Sequence, residues 1–134
     1  MYMPSKSAYA EAYRYLENAE ELLKEKAGRE NGFYKDKKYV RMAGNTAWSG
    51  VLEAIEYWLK VKGVERQKKL RPDMEWYHAA ISKHNKKLNS YFADAYNILH
   101  KYMGYDGVLN AKVISEGIKE AYKVIASCER DSSS

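Results

Sequence analysis

Residues 74–104 read MEWYHAAISKHNKKLNSYFADAYNILHKYMG. Their pattern decides the fold. Met74, Ile81, Leu88, Ala95 and Tyr102 hold one position of a seven-residue repeat, and Tyr77, His84, Tyr91 and Ile98 hold another. Such spacing gathers side chains on one side of a helix, whereas a strand would alternate. Pro72-Asp73 marks the start, with Asp73 as the cap, and Gly104 marks the stop. No Gly or Pro falls between Asp73 and Tyr102. The simplest expectation is one helix of about thirty residues. The polar run His84-Asn85-Lys86-Lys87 is where it would bend or split.

Three more helices follow from the same reasoning. The first begins after Ser5 or Ser7, either of which can cap, and ends at Gly28. Its apolar stripe is Tyr9, Ala12, Leu16, Ala19 and Leu23, joined by Tyr13 and Leu22, with Glu11, Glu17, Glu20, Glu21 and Lys24 on the wet face. Arg29-Glu30-Asn31-Gly32 reads as a turn. The second helix runs from about Lys35 to Lys62 and stops at Gly63, its stripe being Val40, Ala43, Ala47, Trp48, Val51, Ile55, Trp58 and Leu59. Gly44 and Gly50 lie inside it, each costing about 1 kcal/mol against Ala. Gly44, beside Ala43 and Ala47, would let a neighbouring helix approach closely. The last helix starts near Asn110 and ends about Cys128, burying Val113, Ile114, Ile118, Ala121, Tyr122 and Ile125.

Four long helices joined by short or moderate connections predict an all-α chain, an antiparallel up-and-down bundle. A single domain would span residues 1–130, with 131–134 a disordered tail. In that topology Arg29, Lys35, Lys37, Lys38, Arg41, His100 and Lys101 gather at one end. Lys62, Arg66, Lys68, Lys69 and Arg71 gather at the other.

Composition narrows the function classes. The chain has 134 residues, 46% hydrophobic, enough for a real core. No apolar run approaches the ~18 residues needed to span a bilayer. The opening Met1-Tyr2-Met3-Pro4-Ser5-Lys6 lacks the apolar centre of a signal peptide. A single cysteine, Cys128, forms no internal disulfide, and the expected compartment is the cytoplasm. The net charge of +5 fits weak affinity for nucleic acid, and thirteen tyrosines suit helix flanks, interfaces or base stacking.

Few residues suggest chemistry. Glu75-x-x-His78 has the spacing of a di-iron helix, but such a site needs, besides a Glu from each of two other helices, a second such pair, which is missing. His84 stands on the apolar face with no ligand partner at metal spacing. No metal or other cofactor is expected. Neither a Gly-x-Ser-x-Gly elbow nor a Gly-rich phosphate loop occurs. Lys35-Asp36-Lys37-Lys38 and Arg41 place cations at the start of the second helix, against its dipole, which hints at binding rather than folding. Counting ~1.5 Å per residue from the turns puts Arg41 level with Asn97 to His100 and Asn45 one turn further in. Lys38, Arg41, Asn45, Asn97 and His100 are thus the candidate ligand-binding set.

One family resemblance joins these pieces. Tyr15-Leu16-Glu17-Asn18-Ala19-Glu20-Glu21-Leu22-Leu23, Ala47-Trp48-Ser49-Gly50-Val51-Leu52-Glu53-Ala54 and His100-x-Tyr102 together resemble a HEPN domain. This is the higher-eukaryote and prokaryote nucleotide-binding helical bundle, related to nucleotidyltransferase substrate-binding subunits. The resemblance implies a homodimer, a nucleotidyltransferase-like protein partner, and a nucleotide or RNA ligand. Active members carry an Arg, then four to six intervening residues, then the His. Here Ala93, Asp94 and Ala95 stand in those places, and Asp94 has the wrong sign for phosphate. The expectation is therefore a non-catalytic, self-associating module that binds protein or nucleotide. Its rival is a metal-independent ribonuclease using His100 as base, Tyr102 to orient, and Arg41 as a substitute cation.

Overall fold

Among the described residues, four helix starts are set by a short polar side chain: Asp36, Asp73, Asn85 and Asn110. The computed structural model describes residues 4–65 and 73–133, with side chains described from residue 9 to residue 132. The basic run Arg66 to Arg71, the Pro72 signal, Ser134 and the side chains of Ser5 and Ser7 lie outside the described residues. Five α-helices and one minute hairpin make up the described fold: α1 (Pro4–Leu22), β1 (Arg29–Glu30), β2 (Phe33–Tyr34), α2 (Lys37–Val61), α3 (Met74–His84), α4 (Lys86–Ala95) and α5 (Ala111–Ser133). Two π-helical segments extend α1 (Leu23–Ala27) and α4 (Tyr96–Tyr105). The fold is all-α apart from that hairpin.

The expected stripes are the core. Tyr9, Ala12, Leu16, Ala19 and Leu23 are buried on α1 and its extension, and all eight stripe residues of α2 are buried. α2 is the central element, packing on α1, on α5 and on the π segment Tyr96–Tyr105. Gly44 makes the last of these contacts tight. A Cβ there would lie 2.5 Å from the Leu99 carbonyl oxygen and from Met103 Cβ.

Caps explain the boundaries. Asp36 accepts from the Lys38 amide and starts α2, two residues later than Lys35. Asp73 accepts from the Trp76 amide and starts α3, as its place after Pro72 suggests. Asn110 accepts from the amides of Lys112 and Val113 and starts α5.

Four expectations change. First, the turn Arg29 to Gly32 is the tip of a two-stranded hairpin, pairing Arg29 with Tyr34 and Glu30 with Phe33. Asn31 and Gly32 both have positive φ (52° and 82°), which suits the twist of a two-residue hairpin loop.

Second, the long third helix is split. Asn85 is extended (φ −159°, ψ 98°), and its side chain caps α4 by accepting from the Leu88 amide. One position of the heptad stays buried through this break, at Ile81, Leu88 and Ala95, whereas the other is lost after Tyr77. Beyond it the buried residues are Leu88, Phe92, Ala95, Leu99 and Met103, while His84 and Tyr102 are exposed. Leu99 and Met103, four apart, fall on the buried side of the π segment.

Third, His84 is exposed, at the edge of the core rather than within it. It presents its ring edge-on to Trp58, centroids 6.1 Å apart.

Fourth, residues 131–133 are not a disordered tail. α5 continues to Ser133, and Trp58 Nε1 donates to Asp131 Oδ2 at 2.8 Å. Lys62 pairs with the same carboxylate at 3.1 Å, and the hydroxyls of Tyr9 and Ser132 are hydrogen-bonded.

Candidate functional site

The end of the fold that gathers the candidate residues is stitched by backbone. The Tyr34 amide donates to the Leu109 carbonyl (2.8 Å) and the Ala111 amide to the Gly32 carbonyl (3.0 Å), and Phe33 bridges to Asn110. Main-chain bonds thus join the hairpin to the 106–110 loop and to the start of α5, and the Asp36 amide ties the start of α2 to the Ala27 carbonyl. A wider π turn carries His100 and Tyr102 into this region.

The register across α2 differs from the expected one. His100 does not meet Arg41. Its ring stacks on Tyr96 (5.3 Å, 26°) and lies against Trp48 (6.0 Å, 34°). Asn45 packs against Gly104. Arg41 sits lower, its Nε 3.1 Å from where a Cβ on Gly107 would stand. Counting helical rise from the turns fails because the π segment and the tight Gly44 contact shift the two rods against each other. Among the described residues no hydrogen bond joins His100 to Arg41, Asn45, Asn97 or Tyr102. Lys38 is exposed with its Nζ 5.3 Å from the centre of the Tyr39 ring, and Asn97 is exposed. Lys101 stands over Tyr96 at 5.4 Å.

Exposed apolar groups mark the same end. Phe33, Tyr102 and Tyr105 are 53%, 47% and 78% accessible. Lys35, Lys37, Lys38, Arg41 and Lys101 are exposed around them. Lys35 makes one loose pair with Glu30, 3.7 Å long.

The other candidate chemistry is occupied or closed. His78 Nδ1 and Asn89 Oδ1 are hydrogen-bonded at 2.7 Å. Among the described residues no three His, Cys, Asp or Glu side chains come together as a metal site. Cys128 is fully buried, and burial, reinforced by the Asp131 charge, pushes its thiol far above the ordinary range. No helix among the described residues is long and apolar enough to cross a membrane.

One feature has no counterpart in the sequence reading. A cleft of about 870 Å³ opens between the end of α1 and the first half of α5. Lys24, Arg29, Tyr34, Lys112 and Tyr122 line it, and none of the candidate ligand residues does. Helical periodicity could not reveal it, because it forms where two rods from opposite ends of the chain diverge around the hairpin. The Tyr122 hydroxyl donates to Glu20 at its edge, and burial together with that bond raises the phenol well above its usual range.

Residues 7–130 match a family model described as "Domain of unknown function (DUF5618)". The chain is also similar to the solved structure of a protein of unknown function from Dyadobacter fermentans. The two are 40% identical, the alignment covers 96% of this chain and 99% of the other, and the TM-score is 0.88. Among curated proteins none matches.

Proposed function

The chain belongs to the DUF5618 family, and within it we propose a non-catalytic, HEPN-like helical bundle that self-associates and binds protein or nucleotide. In this reading α3 and α4 together serve as one rod of a four-rod bundle. The supporting observation is the composition of one surface. Phe33, Tyr102 and Tyr105 stand exposed among five cations on a backbone-locked end. Exposed large apolar groups cost free energy in water and favour contact. Cations near the start of α2 oppose its dipole, so they do little for the helix. Aromatic rings beside cations suit stacked bases and phosphates, or an acidic protein face. A nucleotidyltransferase-like protein in the cytoplasm is the partner that fits this proposal.

Absence of catalysis is supported by the residues around His100. Ala93, Asp94 and Ala95 offer no guanidinium, and Arg41 faces Gly107 instead of the imidazole. One observation favours the ribonuclease reading: His100 and Tyr102 are both exposed on a π segment, a form often found at functional sites.

Sedimentation and light scattering test the proposal. The wild type is expected to be a dimer, and Phe33→Ser with Tyr105→Ser a folded monomer. A monomeric wild type that gives no heat with nucleotides in calorimetry would overturn it. RNA cleavage by the wild type that disappears in His100→Ala would establish the enzymatic reading in its place.

A further inference from the structure

The cleft between α1 and α5 shares no residue with the surface just described, and its chemistry is two-sided. Its floor is apolar: Leu23, Ile114 and Ile118 lie there, each at most 8% accessible. Tyr34 and Tyr122 supply aromatic walls. Its rim is cationic. Lys24, Arg29 and Lys112 border it, and among the described residues none of the three makes an ion pair. Arg29 touches only the face of Tyr34, at 6.0 Å. The two carboxylates at the rim are engaged, Glu20 by the Tyr122 hydroxyl and Glu116 by Lys119 at 3.8 Å.

The start of α5 adds the positive end of a helix dipole. It offers no free amide, because Ala111 donates to Gly32 and the next two amides donate to Asn110. Any anion held here is held by side chains. A volume of about 870 Å³ is that of a small-molecule site.

The geometry points to a binding site for an organic anion carried on a flat aromatic body. The body lies on Leu23, Ile114 and Ile118 between the two tyrosines. The anionic group, phosphate or carboxylate, meets Lys24, Arg29 and Lys112. A neutral aromatic compound leaves the three exposed rim cations without an anionic partner. An inorganic anion leaves the apolar floor wet. Only a ligand with both halves satisfies both surfaces.

The test uses 8-anilinonaphthalene-1-sulfonate as probe, followed by fluorescence on the full chain. One saturable site per chain is expected. Lys24→Glu with Lys112→Glu should weaken it by about tenfold or more, the loss of a charge-assisted contact. Ser115→Trp, an exposed cleft position, should block it by filling the space while the melting curve stays cooperative. Lys38→Glu with Arg41→Glu should leave it unchanged, which separates this site from the surface of the proposed function. Adenosine monophosphate and indole-3-acetate should both displace the probe, and whichever does so at lower concentration names the anion. Adenosine or inorganic phosphate displacing the probe as well as these would overturn the inference. So would unchanged binding in the two cleft variants, or loss confined to the Lys38 and Arg41 variant.

Discussion

At position 44 a single hydrogen atom sets how closely two rods lie. Alanine is the better helix former by about 1 kcal/mol, so propensity alone favours Gly44→Ala. The structure reverses the sign. The new methyl would stand 2.5 Å from the Leu99 carbonyl oxygen and Met103 Cβ, and 2.8 Å from the Gly104 amide. None of these atoms can rotate away, and overpacking typically costs about 1–3 kcal/mol. Gly44→Ala is therefore expected to lower stability by about 1–2 kcal/mol in urea denaturation. An unchanged or higher midpoint would remove the close approach from the account. Cys128 makes a second test at this scale. Its buried thiol, held protonated, should react with a disulfide reagent only as fast as the protein unfolds. Rapid labelling of the native protein would contradict that burial.

Individual elements differ in how they are held. α1 and α2 follow their apolar periodicity, whereas the rod from residue 74 onward is governed by one asparagine. Asn85 ends α3, turns extended and caps α4, and beyond it Phe92, Leu99 and Met103 join Leu88 and Ala95 on the buried side. The end of α5 is held by contact rather than by pattern. Its last apolar residue in the stripe is Cys128, yet Asp131 accepts from Trp58 Nε1 and pairs with Lys62. Asp131→Ala leaves the Trp58 donor unpaired and should cost about 1–3 kcal/mol. The pH dependence has a definite sign. Burial raises the Asp131 carboxyl, but the bonds from Trp58 and Lys62 outweigh it and hold it below the ordinary value. Its contribution is present above the unfolded carboxylate pKa of about 4 and fades as pH falls through the lower folded value. Between about pH 6 and about pH 3 the wild type should lose more stability than Asp131→Ala. Parallel curves for the two proteins would show that the pair carries no net energy.

Across the whole molecule, one helix touches nearly everything. α2 lies against α1, α5 and the π segment, so an error on its buried face is felt globally. Ala47 is fully buried there. Ala47→Trp overpacks that contact and should abolish the cooperative melt or the oligomer, read by circular dichroism and sedimentation. A normal melting curve with unchanged mass would place Ala47 outside the core. The candidate site shows the same dependence on the whole. Its cations and tyrosines were legible as residue types near turns. The partners of each were not. His100 was readable as ending a helix, but its contact with Trp48 comes from α2, and Tyr96 stacks on it from four residues earlier in its own segment. The Asn31-Gly32 pair carries the hairpin signal that a reading as a plain turn overlooks.

The amino-acid sequence alone determined that this chain is helical, which faces of α1, α2 and α5 are buried, and where most helices start. Those features depend on residues within one or two turns of each other, and local spacing and capping express them. Tertiary structure alone decided that Arg41 meets Gly107 and not His100, that residues 131–133 are helical and pinned, and that a cleft opens between α1 and α5. Each of these rests on contacts between residues distant along the chain, set by how closely glycine lets rods approach and by the extra residues a π turn takes up.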